Sequence, residues 1–334
     1  LSLPWDEPSW RSEVERWIDA ALKASGQQRS GPSGEPPRRP WSAVIRVPLE
    51  GGDAYFKAVT ASLRHEAGLT ARLAEWFPDI VVPVLAVDED RGWLLMPDAG
   101  EEMRDALTPV ELAGAWPDVL RRYARLQAAC AGRIDDLLAL GVPDRRLRHV
   151  DALLDEALAF AEQGTRGADE PPTVDEWRRL NAALPSVKAC AKRLAALGLP
   201  ETIQHDDLHP GNVLWGERGS LLFDWGTAVV THPFISLRML IARLDDRFLS
   251  TMEGTPAKTR PALAAYLEPW TAFAPMDSLL RAYEDSVVLG LVLRFLMWET
   301  VLAAATEQQR ARGANSVVRL LRTILGLLGA SFNG

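Results

Sequence analysis

The chain has 334 residues, 47% of them apolar, with 45 acidic and 37 basic side chains and a formal net charge of −8. That length and apolar fraction suit a globular protein of about two domains, and the acidic balance argues against a nucleic-acid partner, which needs a basic face. The longest apolar stretch, residues 287–298, is interrupted by Arg294 and falls short of the about 20 residues of a membrane span, while Cys130 and Cys190 are too isolated for a disulfide framework or a zinc site.

The opening LSLPWDEPSW is polar and acidic rather than basic and then apolar, so no secretory leader is expected and a cytoplasmic, reducing setting fits. Residues 7–25 read as an amphipathic helix with Trp10, Val14, Trp17 and Ala21 on one side. Residues 27–40 are rich in Pro, Gly and Ser and read first as a mobile linker. Their second reading is a phosphate-covering loop, with Arg38 and Arg39 adding charge, before a strand at 41–48. Residues 53–60 alternate as a strand with Tyr55, Lys57 and Val59 on one face. The helix expected over 62–77 carries Glu66, Leu69, Leu73 and Trp76 on one stripe. A lysine in a largely apolar strand and a glutamate on an apolar helix face are each costly to bury alone, and pairing satisfies both. Strands at 81–87 and 93–97 follow, and LLMPDAG then leaves the sheet. Helical periodicity runs through 109–131, 147–163, 174–197, 233–249, 256–273, 276–306 and 316–328.

Residues 203–226, IQHDDLHPGNVLWGERGSLLFDWG, place Asp207 five residues before Asn212 and Asp224 at the end of a short apolar run. Phosphoryl transfer needs a carboxylate to receive a hydroxyl proton and hard oxygen ligands to hold magnesium against phosphates. Residues 213–215 and 221–223 read as two strands joined by a turn at 216–220. Pairing about Arg218 would set Asn212 opposite Asp224, with Cβ atoms roughly 5 Å apart, so that one cation touches both. Asp207 is then left to face an acceptor. His205-x-Asp207, four residues and Asn212 match the catalytic-loop template of kinases, and Asp224-Trp225-Gly226 stands where their Asp-Phe-Gly stands.

HDDLHPGNVL followed by LLFDWG resembles the phosphotransferase loop of the aminoglycoside phosphotransferase and choline kinase group, small-molecule kinases with a protein-kinase-like fold. The resemblance implies an α+β, two-lobe fold. Residues 1–97 would form a nucleotide-binding lobe with a small mixed β-sheet and an N-terminal helix. Residues 98–334 would form a mainly helical lobe with the catalytic loop and acceptor pocket. It implies ATP and Mg2+ as cofactors bound between the lobes, Asp207 as catalytic base, His205 as a scaffold residue orienting the loop, and Asn212 and Asp224 as magnesium ligands. Lys57, paired with Glu66, would reach phosphate oxygens. Met96 and Asp98 would hold adenine at the hinge, since Pro97 has no N–H. The family usually has His-Gly-Asp, and here Asp206 takes the glycine's place. Only the count to Asn212 selects Asp207 over Asp206, and Asp206→Gly is expected to be tolerated. Where the family often has Pro-x-x-Asp-Leu, this chain has Ser236 as the fourth residue of Pro233-Phe234-Ile235-Ser236-Leu237.

The activity implied is ATP- and magnesium-dependent transfer of the γ-phosphoryl group to a hydroxyl of an aminoglycoside, amino sugar or choline-like molecule. A protein kinase needs a long activation segment and an Ala-Pro-Glu anchor, whereas only residues 227–231 separate Asp-Trp-Gly from the next expected helix. The other alternative, a nucleotide-binding regulatory protein without turnover, is disfavoured by the intact catalytic set. On the 276–306 helix, Asp285, Leu289, Val292, Leu296 and Glu299 share one face whose acidic ends suit amino groups, although a core helix with solvated ends is the plainer reading. Trp225 and Trp298 are candidate stacking surfaces. His209 and His232 read as structural.

Overall fold

The computed structural model describes residues 3–35, 39–237 and 256–331. The chain gathers into two compact units. Leu1–Ala106, Gly211–Thr227 and Thr300–Thr306 form the first; Leu107–Pro210, Ala228–Glu299 and Glu307–Gly334 form the second. The hairpin that the sequence placed after residue 97 therefore groups with the N-terminal residues.

In the first unit, strands β1 (Ser42–Leu49), β2 (Gly52–Val59), β3 (Ala86–Asp88) and β4 (Trp93–Pro97) form an antiparallel sheet in the order β1-β2-β4-β3. Helix α1 (Trp10–Ala24) buries Trp10, Val14, Ile18 and Leu22 in one core with Ile45, Val47, Phe56 and Leu95 of the sheet. Trp17, Phe56 and Trp93 meet edge to face at 5.6–5.7 Å between ring centres, a geometry worth about 0.5–1.5 kcal/mol per pair beyond area burial. The segment read as a linker is instead fastened along the outer edge of β1. Ser30 and Gly34 donate backbone N–H groups to Pro48 and Arg46, and Arg29 pairs with Glu15 and Asp19 of α1 at 2.7 Å. Arg38 lies outside the described residues.

The strand expected at 81–87 is shortened, because Pro83 has no N–H for a ladder. Before that proline, the Val82 N–H donates to the Leu222 carbonyl (3.1 Å) and the Leu222 N–H to the Ile80 carbonyl (2.7 Å). These bonds dock the hairpin of β7 (Val213–Gly216) and β8 (Gly219–Leu222), while β5 (Glu101–Glu102) adds to the other edge of β7.

The second unit is built from the long helices Pro109–Cys130, Val150–Gly164, Val174–Leu197 and Glu307–Ser331, with Pro256–Leu267 and the helix Met276–Leu302 as far as Glu299. Thr108 and Thr173 start two of them with capping boxes closed by Glu111 and Glu176. The last helix begins at Glu307 rather than 316, since its first turns are polar and carry no apolar period. A short antiparallel pair, β6 (Thr202–Gln204) with β9 (Val229–Thr231), was not evident in the sequence. Of the helix expected at 233–249, residues 238–249 lie outside the described residues. No helix among the described residues is long and apolar enough to cross a membrane.

The Met276–Leu302 helix meets the Ile235 backbone at Gly290. A Cβ there would stand 1.8 Å from the Ile235 carbonyl oxygen and 2.9 Å from its carbon. Backbone cannot yield as a flexible side chain does. Gly290→Ala is therefore expected to lower stability by about 1–3 kcal/mol through overpacking, read as a lower denaturant midpoint with an unchanged slope; an unaltered midpoint would show that the close approach is not required.

Candidate active site

Strand alternation and the start of helix α2 (Glu66–Trp76) bring two buried charges together. Lys57 Nζ lies 2.6 Å from Glu66 Oε1 and 2.7 Å from Asp224 Oδ1. Lys57 and Glu66 are almost fully buried, whereas the Asp224 side chain is 40% exposed. The Asp224 carboxylate is thus the member of the trio able to meet a ligand. Burial works against the Lys57 charge, but Asp224 and Glu66 outweigh it and hold its pKa above the usual lysine value. Burial pushes the Glu66 carboxyl up to about 7, against the pull of Lys57. Gly226 makes room for this carboxylate: a Cβ at 226 would come within 2.9 Å of Glu66 Oε2.

The hairpin is one residue out of the expected register. Val213 pairs with Leu222 and Gly216 with Gly219, so Asn212 stands opposite Phe223, whose N–H donates to the Asn212 carbonyl at 3.2 Å. A two-residue turn, Glu217 and Arg218, replaces the five-residue one, because Gly219 (φ +80°) enters the left-handed region and closes the pair at once. In a continued strand, Asp224 would point away from the Asn212 face. Asp224 instead adopts φ +65°, which ends the alternation and turns the chain toward Lys57. Trp225 is fully buried, so it offers no stacking surface.

The hinge expected at Met96 and Asp98 is engaged within the sheet. The Asp98 N–H donates to the Asp53 carbonyl at 2.8 Å, and Met96 faces Tyr55 two positions along the same ladder, which makes it a hydrogen-bonded pair as well. Both backbones therefore turn toward β2. On the opposite edge, β3 pairs with β4 only as far as Leu95.

In the second unit, His205 is fully buried, and its backbone N–H donates to Tyr123 Oη at 2.8 Å. Tyr123 in turn donates to the Gln204 side chain, and Gln127 Nε2 donates to Gln204 Oε1 (2.7 Å) and the Ile203 carbonyl (2.9 Å). This buried network ties β6 and the backbone at the start of the loop to the helix Pro109–Cys130. Asp206 has φ +62°, the left-handed region where glycine is at ease and aspartate is tolerated. That conformation explains why a glycine suits this position. The Asp206 carboxylate is buried, with Arg145 and Arg294 nitrogens at 3.9 and 4.0 Å. Burial pushes it up to about 6, against both arginines and together with the neighbouring Asp207 charge.

Asp207 Oδ1 accepts from Arg294 Nη2 at 2.9 Å, and His209 Nε2 stands 3.8 Å from Asp207 Oδ2. The Asp285 carboxylate, one of the two acidic ends offered as a candidate for amino groups, is held by Arg193 Nε at 3.0 Å. Glu299 is half-buried, and burial with the nearby Glu156 charge raises its pKa. His232 is structural: burial drops its pKa to about 3, and its Nδ1 accepts the Phe234 N–H at 3.2 Å.

A model of the phosphotransferase enzyme family matches residues 38–279. The chain belongs to this family. It is a small-molecule kinase with a protein-kinase-like α+β fold. Among solved structures it is similar to a choline/ethanolamine kinase family protein from Mesorhizobium loti, at 17% identity and TM-score 0.55, over 92% of this chain and 98% of that one. Macrolide 2'-phosphotransferase MphH from Brachybacterium faecium matches at 17% identity and TM-score 0.54, over 91% and 97%. Choline kinase LicA from Streptococcus pneumoniae matches at 12% and 0.57, over 92% and 98%. No curated protein matches the chain.

Arg145, Arg294, Tyr123 and Gln127 surround the loop of this phosphotransferase and escaped the sequence reading. A signal existed for Arg294, the one charge interrupting residues 287–298. The reasoning applied to Lys57 applies equally to it.

Two outcomes follow from these charges. Lys57→Met leaves Glu66 buried without its cation and is expected to cost about 3–5 kcal/mol of stability. Adding Glu66→Gln should recover much of that loss, and an additive double mutant would mean that the pair is not coupled. For Asp206, a raised folded pKa means a contribution fully present below the unfolded value of about 4 and lost as pH rises through about 6. Asp206→Asn keeps the shape and removes the titration. Unfolding free energy of the native chain, measured relative to Asp206→Asn, should therefore fall between these two pH values and level off above them. Asp206→Gly relieves the backbone but deprives the buried Arg294 and the half-buried Arg145 of a nearby counter-charge, so tolerance is no longer expected.

Proposed function

We propose that this kinase transfers the γ-phosphoryl group of ATP to a hydroxyl of a small molecule, with Asp207 as the base. The observation carrying the proposal is the Lys57 ammonium, buried and held at 2.6 and 2.7 Å between Glu66 and the partly exposed Asp224. A buried cation aimed by two carboxylates is the arrangement that steadies phosphate oxygens. The β4 exit supports an adenine site at the Pro97 carbonyl and the Ala99 N–H, which alternate with the inward-facing Met96 and Asp98.

Asn212 and Asp224 are the residues that would hold magnesium. An amide and a carboxylate are hard oxygen donors, and this ion takes one or two carboxylates and completes its shell with phosphates and water. The bound ion would neutralise phosphate charge. In the transfer, the acceptor oxygen forms its bond to the γ-phosphorus as the bond to the bridging oxygen of ADP breaks, and the hydroxyl proton passes to the Asp207 carboxylate. Lys57 meets the charge left on the phosphates.

We take the acceptor to be of the aminoglycoside, amino-sugar or choline-like type. Glu299 and Glu156, close enough to raise the Glu299 pKa, support an amine-bearing molecule. The need for ATP points to the cytoplasm as the setting.

The test is magnesium-dependent ADP release across a panel of aminoglycosides, macrolides, amino sugars, choline, ethanolamine and neutral sugars. One class should stimulate turnover. Asp207→Asn should lower it about 10²–10⁴-fold, and Asn212→Ala or Asp224→Ala should abolish the magnesium dependence of nucleotide binding. Full turnover in Asp207→Asn would remove the base assignment.

A further inference from the structure

Residues 289–297 of the Met276–Leu302 helix are all buried, and among them stands Arg294, 6% exposed. A cation there is expensive unless its hydrogen bonds are met. Its guanidinium reaches two consecutive loop residues: Nη1 donates to the Asp206 carbonyl at 2.6 Å, and Nη2 donates to Asp207 Oδ1 at 2.9 Å. One bond grips the backbone and the other the carboxylate, so the rigid fork fixes the carboxylate's rotation relative to its own loop. The helix bearing the fork is fixed too. Gly290 lies one turn earlier on the same face, at its close approach to Ile235, and Arg145 Nη2 donates to the Leu296 carbonyl at 3.1 Å. Among the groups around the carboxylate are Arg294, Asp206, His209 and, behind Asp206, Arg145.

We infer that Arg294 is a positioning residue for the phosphotransfer, holding the Asp207 carboxylate in the orientation from which it receives the acceptor's proton. The inference rests on Asp207 being the base. It goes beyond the motif, since Arg294 lies 87 residues away on a separate helix. Arg294 bonds the loop that carries Asp207, at the Asp206 carbonyl and the Asp207 carboxylate, so its loss should lower the chemical step and spare ATP binding.

The probe is radiolabelled MgATP with water as acceptor, followed as ADP release, alongside the Kd for MgATP. Arg294→Ala should lower kcat about 10–100-fold, the range for losing a charge-assisted bond, with KM and Kd for MgATP within twofold of the native protein. Guanidinium ion at sub-denaturing concentration should restore part of the lost kcat, and none in the Arg294→Ala/Asp207→Asn double variant. Arg294→Lys, which keeps the charge and a single bond, should lie between and carries the test if the alanine variant does not fold. Native kcat in Arg294→Lys and Arg294→Ala would overturn the inference, as would loss of kcat together with MgATP binding and no rescue, the pattern of a purely structural residue. Both outcomes leave the base assignment intact. Native turnover that is indifferent to Asp207→Asn would overturn the phosphotransfer reading and this inference with it.

Discussion

One ammonium group organises the first unit. Lys57 sits on a strand, Glu66 begins a helix and Asp224 ends a hairpin more than 150 residues further along the chain. A buried cation with no counter-charge would cost several kcal/mol, so the three elements have one low-energy arrangement. In it Glu66 must be inside, the hairpin must end beside the strand, and residue 226 must be small enough to leave the carboxylate its space. The same constraint separates the two acids by role. Glu66 is enclosed and remains an internal partner, while Asp224 keeps an open side and is available to a ligand.

The second unit repeats the device with a different cation. Arg294 is buried within an otherwise apolar stretch and pairs with the loop carrying Asp207, as Lys57 pairs with the hairpin carrying Asp224. In each case a residue of proposed chemical importance is held by a charge whose own burial depends on it. Arginine suits this second place better than lysine would. Its planar fork binds a backbone carbonyl and a carboxylate at once, so it orients, whereas a lysine ammonium offers a point charge. The network of Tyr123, Gln127 and Gln204 does the same work with neutral groups, satisfying the backbone of β6 and His205 in the protein interior.

Much of this was legible in the residues, and the reasons for success and failure differ. The spacing of His205, Asp207, Asn212 and Asp224 and the two anomalous charges Lys57 and Glu66 were visible because chemistry constrains residue type and order. The hairpin register was not. Strand pairing about Arg218 and pairing between Glu217 and Arg218 differ by one residue, and only the left-handed conformation of Gly219 decides between them. Which backbone groups of the hinge point away from β2 was hidden for a related reason. Pro97 excludes itself as a donor, but which neighbours face outward depends on ladder alternation, and that is set by the β2–β4 register. Residues 27–35 looked like a linker because Pro, Gly and Ser are common to linkers and to irregular edge segments; Arg29 and its two carboxylate partners on α1 make the difference. Arg294 was passed over because a lone charge was weighed against a membrane span and not against the loop.

Asp206 shows how such substitutions come in sets. An aspartate in place of glycine carries a strained backbone angle and a buried carboxyl, two penalties with no gain if taken alone. Beside it lie two arginines, each equally unfavourable without an anion. Arg294 already faces Asp207, yet that carboxylate must stay free to take up a proton in the proposed reaction, and a protonated Asp207 would no longer balance a buried guanidinium. In that proposed reaction Asp206 would supply a second negative charge that takes no part, so Arg294 and Arg145 would stay compensated when Asp207 is protonated. Ser236 is buried as well, its hydroxyl makes no hydrogen bond among the described residues, and it carries no charge. The electrostatic support of Asp207 thus comes from the Met276–Leu302 helix, and the price of an aspartate at φ +62° is what allows an arginine there.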